Sequence, residues 1–82
     1  MNINSTLDFN ASSDEGLVRY TNRETEVLHL ISLGLSNPEI AKVLHLSIYT
    51  VQSHRKTLMK KMGVHNTALM MRRAFETNLI SL

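Results

Sequence analysis

The residues of this chain best suited to chemistry lie between positions 47 and 62, where polar and basic side chains recur at helical spacing. Gln52, Lys56 and Lys60 follow at intervals of four residues, which places them on one face of a helix. The stretch holds four basic residues and no acidic one. Amide and ammonium groups in such a row indicate a surface for a polyanion, with an ordinary solvated face as the alternative.

The same stretch has an apolar face and recognisable ends. Val51, Leu58 and Met62 recur at helical spacing and would point into a core. Ser47 is a favoured N-cap residue, and Gly63 stands where a helix end favours a left-handed residue. A helix of about 48–62 is therefore predicted.

Two shorter helices are predicted before it. A Thr-x-x-Glu capping box at Thr21 indicates a helix of about 22–33. Ser36 or Asn37 caps a second helix that ends near residue 44. Only two or three residues then remain before the next N-cap. So short a connection favours a steep crossing of the second and third helices, as in a helix-turn-helix.

A fourth helix of about 67–77 is more apolar than one buried face requires. Asn66 or Thr67 caps it, and Asn78 is expected to end it in a left-handed conformation. Leu69 falls on its outer, charged side, which predicts contact with the same helix of a second copy; a thick core helix is the alternative. The predicted homodimer interface comprises Leu69, Met70, Arg72, Arg73 and Glu76.

The first 19 residues differ from the rest in composition and charge. They are rich in Asn, Ser, Thr and Asp and are predicted to form a flexible arm, with packing of their few apolar side chains as the alternative. The domain is expected to span 20–82. The arm carries a net charge of −2 and the domain +4, and no acidic residue lies between Glu39 and Glu76. This segregation strengthens the case for a polyanionic partner.

Composition argues against several other classes of protein. There is no cysteine, and the four histidines are too widely spaced for a regular zinc site. No nucleophile elbow, phosphate-binding glycine loop or pair of catalytic carboxylates occurs, so we expect neither an enzyme nor a cofactor or small-molecule ligand. Without a secretory signal or an apolar run of about 18 residues, a cytoplasmic protein with no membrane contact is expected.

Taken together, these residues resemble the DNA-binding domain of the LuxR/FixJ group of bacterial transcription regulators. The resemblance covers most of the chain and implies an all-α, four-helix helix-turn-helix domain. Such a domain dimerises through its last helix and inserts its third into the major groove of double-stranded DNA. Tyr20, Thr67 and Leu69 depart from residues common in the group. The matching positions are Thr21, Arg23, Glu24, Val27, Leu28, Gly34, Glu39, Ile40, Ala41, Leu44, Ser47, Thr50, Val51, His54, Lys60, Gly63, Val64 and Ala74.

Side-chain chemistry then suggests individual roles. Gln52 can pair with adenine, Lys56 can reach guanine, and Ser53 can contact either base edge; these three match the base-reading positions of the group. Tyr49 is a further candidate for a base or phosphate contact. His54 has a structural role within the fold as its alternative. The expected contacts to the DNA backbone are Thr50, His54, Arg55, Lys60 and Lys61 from the third helix, with Lys42 and Asn37 from the second.

Two further expectations concern the whole protein. No receiver or ligand-binding domain precedes the module in this sequence, which favours a stand-alone member similar to the small sporulation regulators of the group. RNA polymerase is an expected additional partner. The alternative function is an adaptor or antagonist that binds another regulator or RNA polymerase through the fourth helix. A promoter-reading sigma-factor domain is a nearer alternative, but the apolar fourth helix and the lack of upstream sigma regions argue against it.

Overall fold

The computed structural model describes residues 18–81, which contain four α-helices and no strand. The all-α, four-helix architecture predicted from the sequence is confirmed. No helix within this described part combines the length and apolar character needed to cross a bilayer. The helices are α1 (Asn22–Ser32), α2 (Asn37–Leu44), α3 (Ile48–Met62) and α4 (Thr67–Glu76).

The predicted N-terminal arm, residues 1–19, lies outside the described residues except for its last two. Of these, Val18 is exposed, and the Arg19 carbonyl accepts a hydrogen bond from Lys61 Nζ at 2.9 Å. The flexible arm and the domain boundary at residue 20 therefore stay predictions.

Reciprocal hydrogen bonds start the first two helices. Thr21 Oγ1 accepts from the Glu24 N–H at 3.0 Å, while Glu24 Oε1 accepts from the Thr21 N–H at 2.9 Å. Ser36 and Glu39 make the same exchange at the start of α2, with distances of 3.3 and 2.7 Å. Each capping box satisfies backbone donors that the first helical turn leaves free, so it fixes where the helix begins. Ser36, and not Asn37, is thus the N-cap of α2.

The later helices begin and end on similarly local signals. The Ser47 hydroxyl accepts from the Thr50 N–H at 3.0 Å, and the Asn66 side chain accepts from the Leu69 N–H at 2.8 Å. Gly63 ends α3 with φ 69°, a conformation that costs glycine little because it has no Cβ.

Within residues 18–81, two residues other than glycine also adopt left-handed backbone conformations. Asn78, predicted to do so, has φ 61° and follows α4 by two residues. His45 adopts φ 57° and ψ 44° in the tight turn between α2 and α3. The turn therefore passes through a left-handed residue although that residue is histidine, which tolerates this region better than branched residues do.

The core lies around α3, which contacts each of the other three helices. Ala41 of α2 and Val51 of α3 are both buried, as expected for two helices that pack closely across a short turn. Each fully buried Val, Leu or Ile contributes roughly 1.5–3 kcal/mol to folding, which makes this shared core the main support of α3. The core comprises Val27, Leu28, Ile31, Ile40, Ala41, Val51, Leu58, Met62, Met70, Ala74 and Ile80.

Met70 corrects the sequence prediction. It was expected at a dimer interface, but its side chain is 0% exposed and belongs to the core of its own domain. The neighbouring Leu69 and Met71 are only partly buried. The face of α4 that packs inward is therefore centred on Met70 and Ala74, and position 70 has no surface to offer a second copy.

Candidate nucleic-acid interface

The outer face of α3 brings together the four residues predicted to contact bases. Tyr49, Gln52, Ser53 and Lys56 line one shallow depression of about 360 Å³, and all four are exposed. Tyr49 is 79% exposed, which is unusual for a large aromatic ring. The four side chains thus form a single surface that combines amide, hydroxyl, ammonium and aromatic groups.

The opposite face of α3 holds this surface in place. Val51 and Leu58 are 0% exposed and anchor the helix in the core. At its N-terminus the Ser47 hydroxyl lies 2.9 Å from the Thr50 hydroxyl, in addition to capping the helix. The Thr50 hydroxyl, predicted to contact the DNA backbone, therefore already takes part in the cap. A helix fixed at its start and along its length presents its outer side chains at a defined angle.

The remaining predicted backbone-contacting residues differ in exposure. Lys60 on α3 and Lys42 on α2 are exposed, whereas His54 is half-buried. Asn37, at the first position of α2, is also half-buried, and its Oδ1 atom has no hydrogen-bond partner among the described residues. Lys42 and Lys60 are therefore the predicted contacts best exposed to a polyanion. Within residues 18–81, no three His, Asp or Glu side chains lie close enough together to hold a metal ion.

Lys61, also predicted to contact the DNA backbone, has partners within the protein. Its Nζ atom lies 2.7 Å from Glu24 Oε1 and 2.9 Å from the Arg19 carbonyl oxygen. The same atom stands 5.6 Å from the centroid of the Tyr20 ring. These contacts engage two of the three donors of the ammonium, so Lys61 ties the end of α3 to the start of α1.

Glu24 is the buried partner of this ion pair, with a residue exposure of 5%. Burial alone would raise the pKa of its carboxyl group. The hydrogen bonds from Lys61 and from the Thr21 backbone N–H, together with the positive charge of Lys61, outweigh burial, so the pKa lies below the ordinary value of 4.5. Glu24 is therefore ionised at neutral pH and serves both the capping box and the link to α3.

Arg55 also has an internal contact that sequence reasoning missed. One Nη2 donor of its guanidinium makes a 2.7 Å hydrogen bond to Thr67 Oγ1, the first residue of α4. Arg55 is half-buried, and this desolvation lowers the pKa of its guanidinium. Among the described residues it forms no ion pair with a carboxylate. The contact joins α3 to α4.

The outer face of α4 forms a second small depression, of about 220 Å³. Four of the five predicted interface residues line it, namely Leu69, Arg72, Arg73 and Glu76, together with Val64. Arg72 Nε lies 3.2 Å from Glu76 Oε2, one turn along the helix. Phe75, which the sequence did not suggest as a surface residue, is 37% exposed on the same helix. This face combines partly covered apolar groups with paired charges.

A short turn that joins α2 to a basic, polar α3 in an all-α domain is the arrangement of a helix-turn-helix domain. Comparison with known families agrees with this class. Residues 18–74 match the model of the GerE family, described as bacterial regulatory proteins of the luxR family. The chain belongs to this luxR family, which is a family of regulators and not of enzymes.

Known relatives share this domain and are longer. MctR, a transcriptional regulatory protein of Rhizobium johnstonii, is 41% identical over 68 residues, covering 83% of this chain and 32% of the relative. YgeK, an uncharacterized response regulatory protein of Escherichia coli K12, is 53% identical over 55 residues, covering 67% of this chain and 35% of YgeK. A crystal structure of the response regulator ChrA, from a heme-sensing two-component system, matches with a TM-score of 0.73 and 34% identity, covering 76% of this chain and 31% of ChrA. The chain thus spans about a third of the length of these relatives.

Proposed function

We propose that this protein regulates transcription by sequence-specific binding of double-stranded DNA, with α3 in the major groove. The observation that carries the proposal is the exposed row of Gln52, Ser53 and Lys56 on a helix whose reverse face is buried in the core. An α-helix fits the major groove, where each base pair presents a distinct pattern of donors, acceptors and methyl groups. We propose Tyr49 as a fourth contact, to a base or a phosphate at the start of the helix.

Helix geometry gives the spacing of the base contacts. Gln52 and Lys56 are four residues apart, which corresponds to about 6 Å along the axis. Base pairs are stacked about 3.4 Å apart, so the two side chains would face base pairs about two steps apart. Glutamine pairs best with adenine N6 and N7, and lysine with guanine O6 and N7. A half-site with an adenine and a guanine about two steps apart is therefore proposed.

Contacts to phosphates would supply most of the affinity. Lys60 and Lys42 are exposed and suited to this role, with Thr50, His54, Arg55 and Asn37 as the further proposed contacts. If one domain neutralises about four phosphates, the logarithm of affinity should fall with the logarithm of salt concentration with a slope of about −3.6. A dimer would double that slope.

We further propose that two copies associate through the outer face of α4. Leu69, partly covered and surrounded by Arg72, Arg73 and Glu76, supports an interface with an apolar centre and a charged rim. Two-fold symmetry would match an inverted repeat with half-sites about one helical turn apart. Action in the cytoplasm, a domain of residues 20–82 and contact with RNA polymerase belong to the same proposal.

Selection of bound duplexes from a random pool tests the base contacts. Gln52→Ala should relax the preference at one base pair, and Lys56→Met should relax it at another about two steps away. Lys60→Met, the matched control one turn along α3, should weaken binding to every sequence and leave the preference unchanged. If Gln52→Ala and Lys56→Met selected the same sequences as the wild-type protein, the proposed reading surface would be refuted.

Gel shifts at two salt concentrations separate DNA binding from the adaptor function. A DNA-binding regulator should retain a selected duplex over random competitor and lose affinity steeply with salt. An adaptor would show no selective retention at either concentration. In that case the surface formed by Leu69 and its charged neighbours would be the place to seek a protein partner.

A further inference from the structure

The contact between Arg55 and Thr67 is a long-range side-chain bond that joins the proposed reading helix to α4. Its length of 2.7 Å makes it a short, charge-assisted hydrogen bond. It uses one N–H of a planar guanidinium that has five donors in a fixed fork. Because the five donors belong to one rigid group, holding one of them restricts the directions in which the other four can point.

Arg55 is also unusual among the basic residues of α3 in its surroundings. It is half-buried, whereas Lys56 and Lys60 are exposed, and Lys61 is already paired with a carboxylate. A partly desolvated guanidinium without a carboxylate partner in residues 18–81 has unmet affinity for an anion. It lies three residues after Gln52 on α3, so it borders the proposed base-reading face.

We propose that Thr67 is a positioning residue for Arg55, and that it orients the guanidinium so that the free N–H groups bind one phosphate of the DNA backbone. This inference rests on the proposed function, since it assumes that α3 lies in the groove. Thr67 itself does not touch DNA. Its hydroxyl removes the entropy cost of ordering a long side chain when DNA binds, because Arg55 is already ordered in the free protein.

The test is a double-mutant cycle on a single half-site duplex, so that association through α4 does not affect the result. Thr67→Val keeps the shape of the side chain and removes the hydroxyl, and it should weaken binding by about 2- to 10-fold, the effect of one unfixed long side chain. The salt slope should stay unchanged, because the charge of Arg55 remains. Thr67→Ser, which restores a hydroxyl, should recover the affinity.

Arg55→Met should lower the salt slope by about 0.9, the value for one lost phosphate contact. In that background Thr67→Val should have no further effect on binding. Thr25→Val is the matched control, because the Thr25 hydroxyl also makes a hydrogen bond, to the Thr21 carbonyl at 3.1 Å, but lies on α1. It should leave DNA affinity unchanged, and circular dichroism should show that each variant is folded.

The possible results separate this inference from the proposed function. Wild-type affinity in Thr67→Val, or an equal loss with and without Arg55, would overturn the positioning role while leaving DNA binding intact. An unchanged salt slope in Arg55→Met would overturn the phosphate contact. Absence of DNA binding by the wild-type chain would overturn the proposed function and this inference together.

Discussion

Lys60 and Lys61 offer a direct comparison, because two adjacent lysines on one helix have different surroundings. Lys60 is exposed, and Lys61 pairs with the buried Glu24 at 2.7 Å. Replacement by methionine removes the charge and keeps an apolar stem of similar length. We predict that Lys61→Met mainly lowers the free energy of unfolding, whereas Lys60→Met mainly weakens DNA binding.

The size of the stability loss follows from the exposure of both partners. The side chain of Glu24 is 6% exposed and that of Lys61 is 28% exposed. Breaking a fully buried pair costs 3–5 kcal/mol, and because Lys61 keeps some solvent contact we expect about 2 kcal/mol here. For a chain of this size that loss lowers Tm by roughly 8–16 °C. Lys60→Met should change Tm by no more than about 2–4 °C, since exposed substitutions away from such pairs change stability by at most about 0.5 kcal/mol.

Thermal unfolding followed by circular dichroism measures the loss of stability. The salt slope of DNA binding measures the loss of phosphate contacts. A second variant tests the cause. Glu24→Gln combined with Lys61→Met removes both charges and keeps a residue that can complete the capping box, so it should be more stable than Lys61→Met alone. Equal Tm values for Lys60→Met and Lys61→Met would refute the reasoning. It would also be refuted if Lys61→Met reduced the magnitude of the salt slope more than Lys60→Met does.

The Glu24–Lys61 ion pair also predicts how the stability lost in Lys61→Met depends on pH. In the folded protein the pKa of Glu24 lies below its ordinary value of 4.5, so the ionised carboxylate stabilises the fold above about pH 4.5. This stabilisation is lost as pH falls through the folded-state pKa. Lys61→Met removes a contact that lowers the pKa, so wild type and variant should differ most at neutral pH. Their Tm values should converge as the solution becomes more acidic, and a constant difference down to the acid-unfolding range would contradict the assignment.

Three further predictions concern stability and association. Ser36→Ala removes the hydroxyl that caps α2 and should lower the free energy of unfolding by about 1 kcal/mol, measured by urea denaturation; no change would show that the cap is dispensable. Met70→Ala should cost about 2–5 kcal/mol because it opens a cavity in the core, whereas Leu69→Ala should mainly weaken self-association in analytical ultracentrifugation; the reverse pattern would contradict the orientation of α4. Gly63→Ala should cost about 1 kcal/mol in thermal unfolding, because its φ of 69° disfavours a side chain although no atom lies within 4 Å of an added Cβ; equal or greater stability would contradict the left-handed helix end.

The helix boundaries could be predicted because their signals are local. The capping boxes at Thr21 and Ser36, the cap at Ser47 and the left-handed residues Gly63 and Asn78 each depend on residues a few positions apart. The exposed row of side chains on α3, proposed as the reading surface, was also predictable as a set, because helical periodicity alone decides which side chains share a face.

The orientation of α4 was harder to predict. Its sequence carries apolar residues on more than one side, so periodicity does not decide which side packs inward. The structure buries Met70 and Ala74 and leaves Leu69 partly covered. The choice follows from how α4 packs on α3, which is a tertiary property. A helix that is apolar on several sides needs such contacts to fix its rotation.

The internal contacts of the basic residues depend on distance in space and not in sequence. Lys61 and Glu24 are 37 residues apart, and Arg55 and Thr67 are 12 apart. Counted from the sequence, the four basic residues of α3 contribute equally to a surface for DNA. In the structure one is paired with a carboxylate and one is anchored to α4, while Lys56 and Lys60 are exposed. The charge of a helix therefore overstates how many phosphates it can neutralise whenever a buried acid from another helix lies within reach of one of its bases. Lys61→Met should therefore leave the salt slope unchanged, and a slope smaller by about 0.9 in that variant would mean that DNA displaces Glu24 from Lys61.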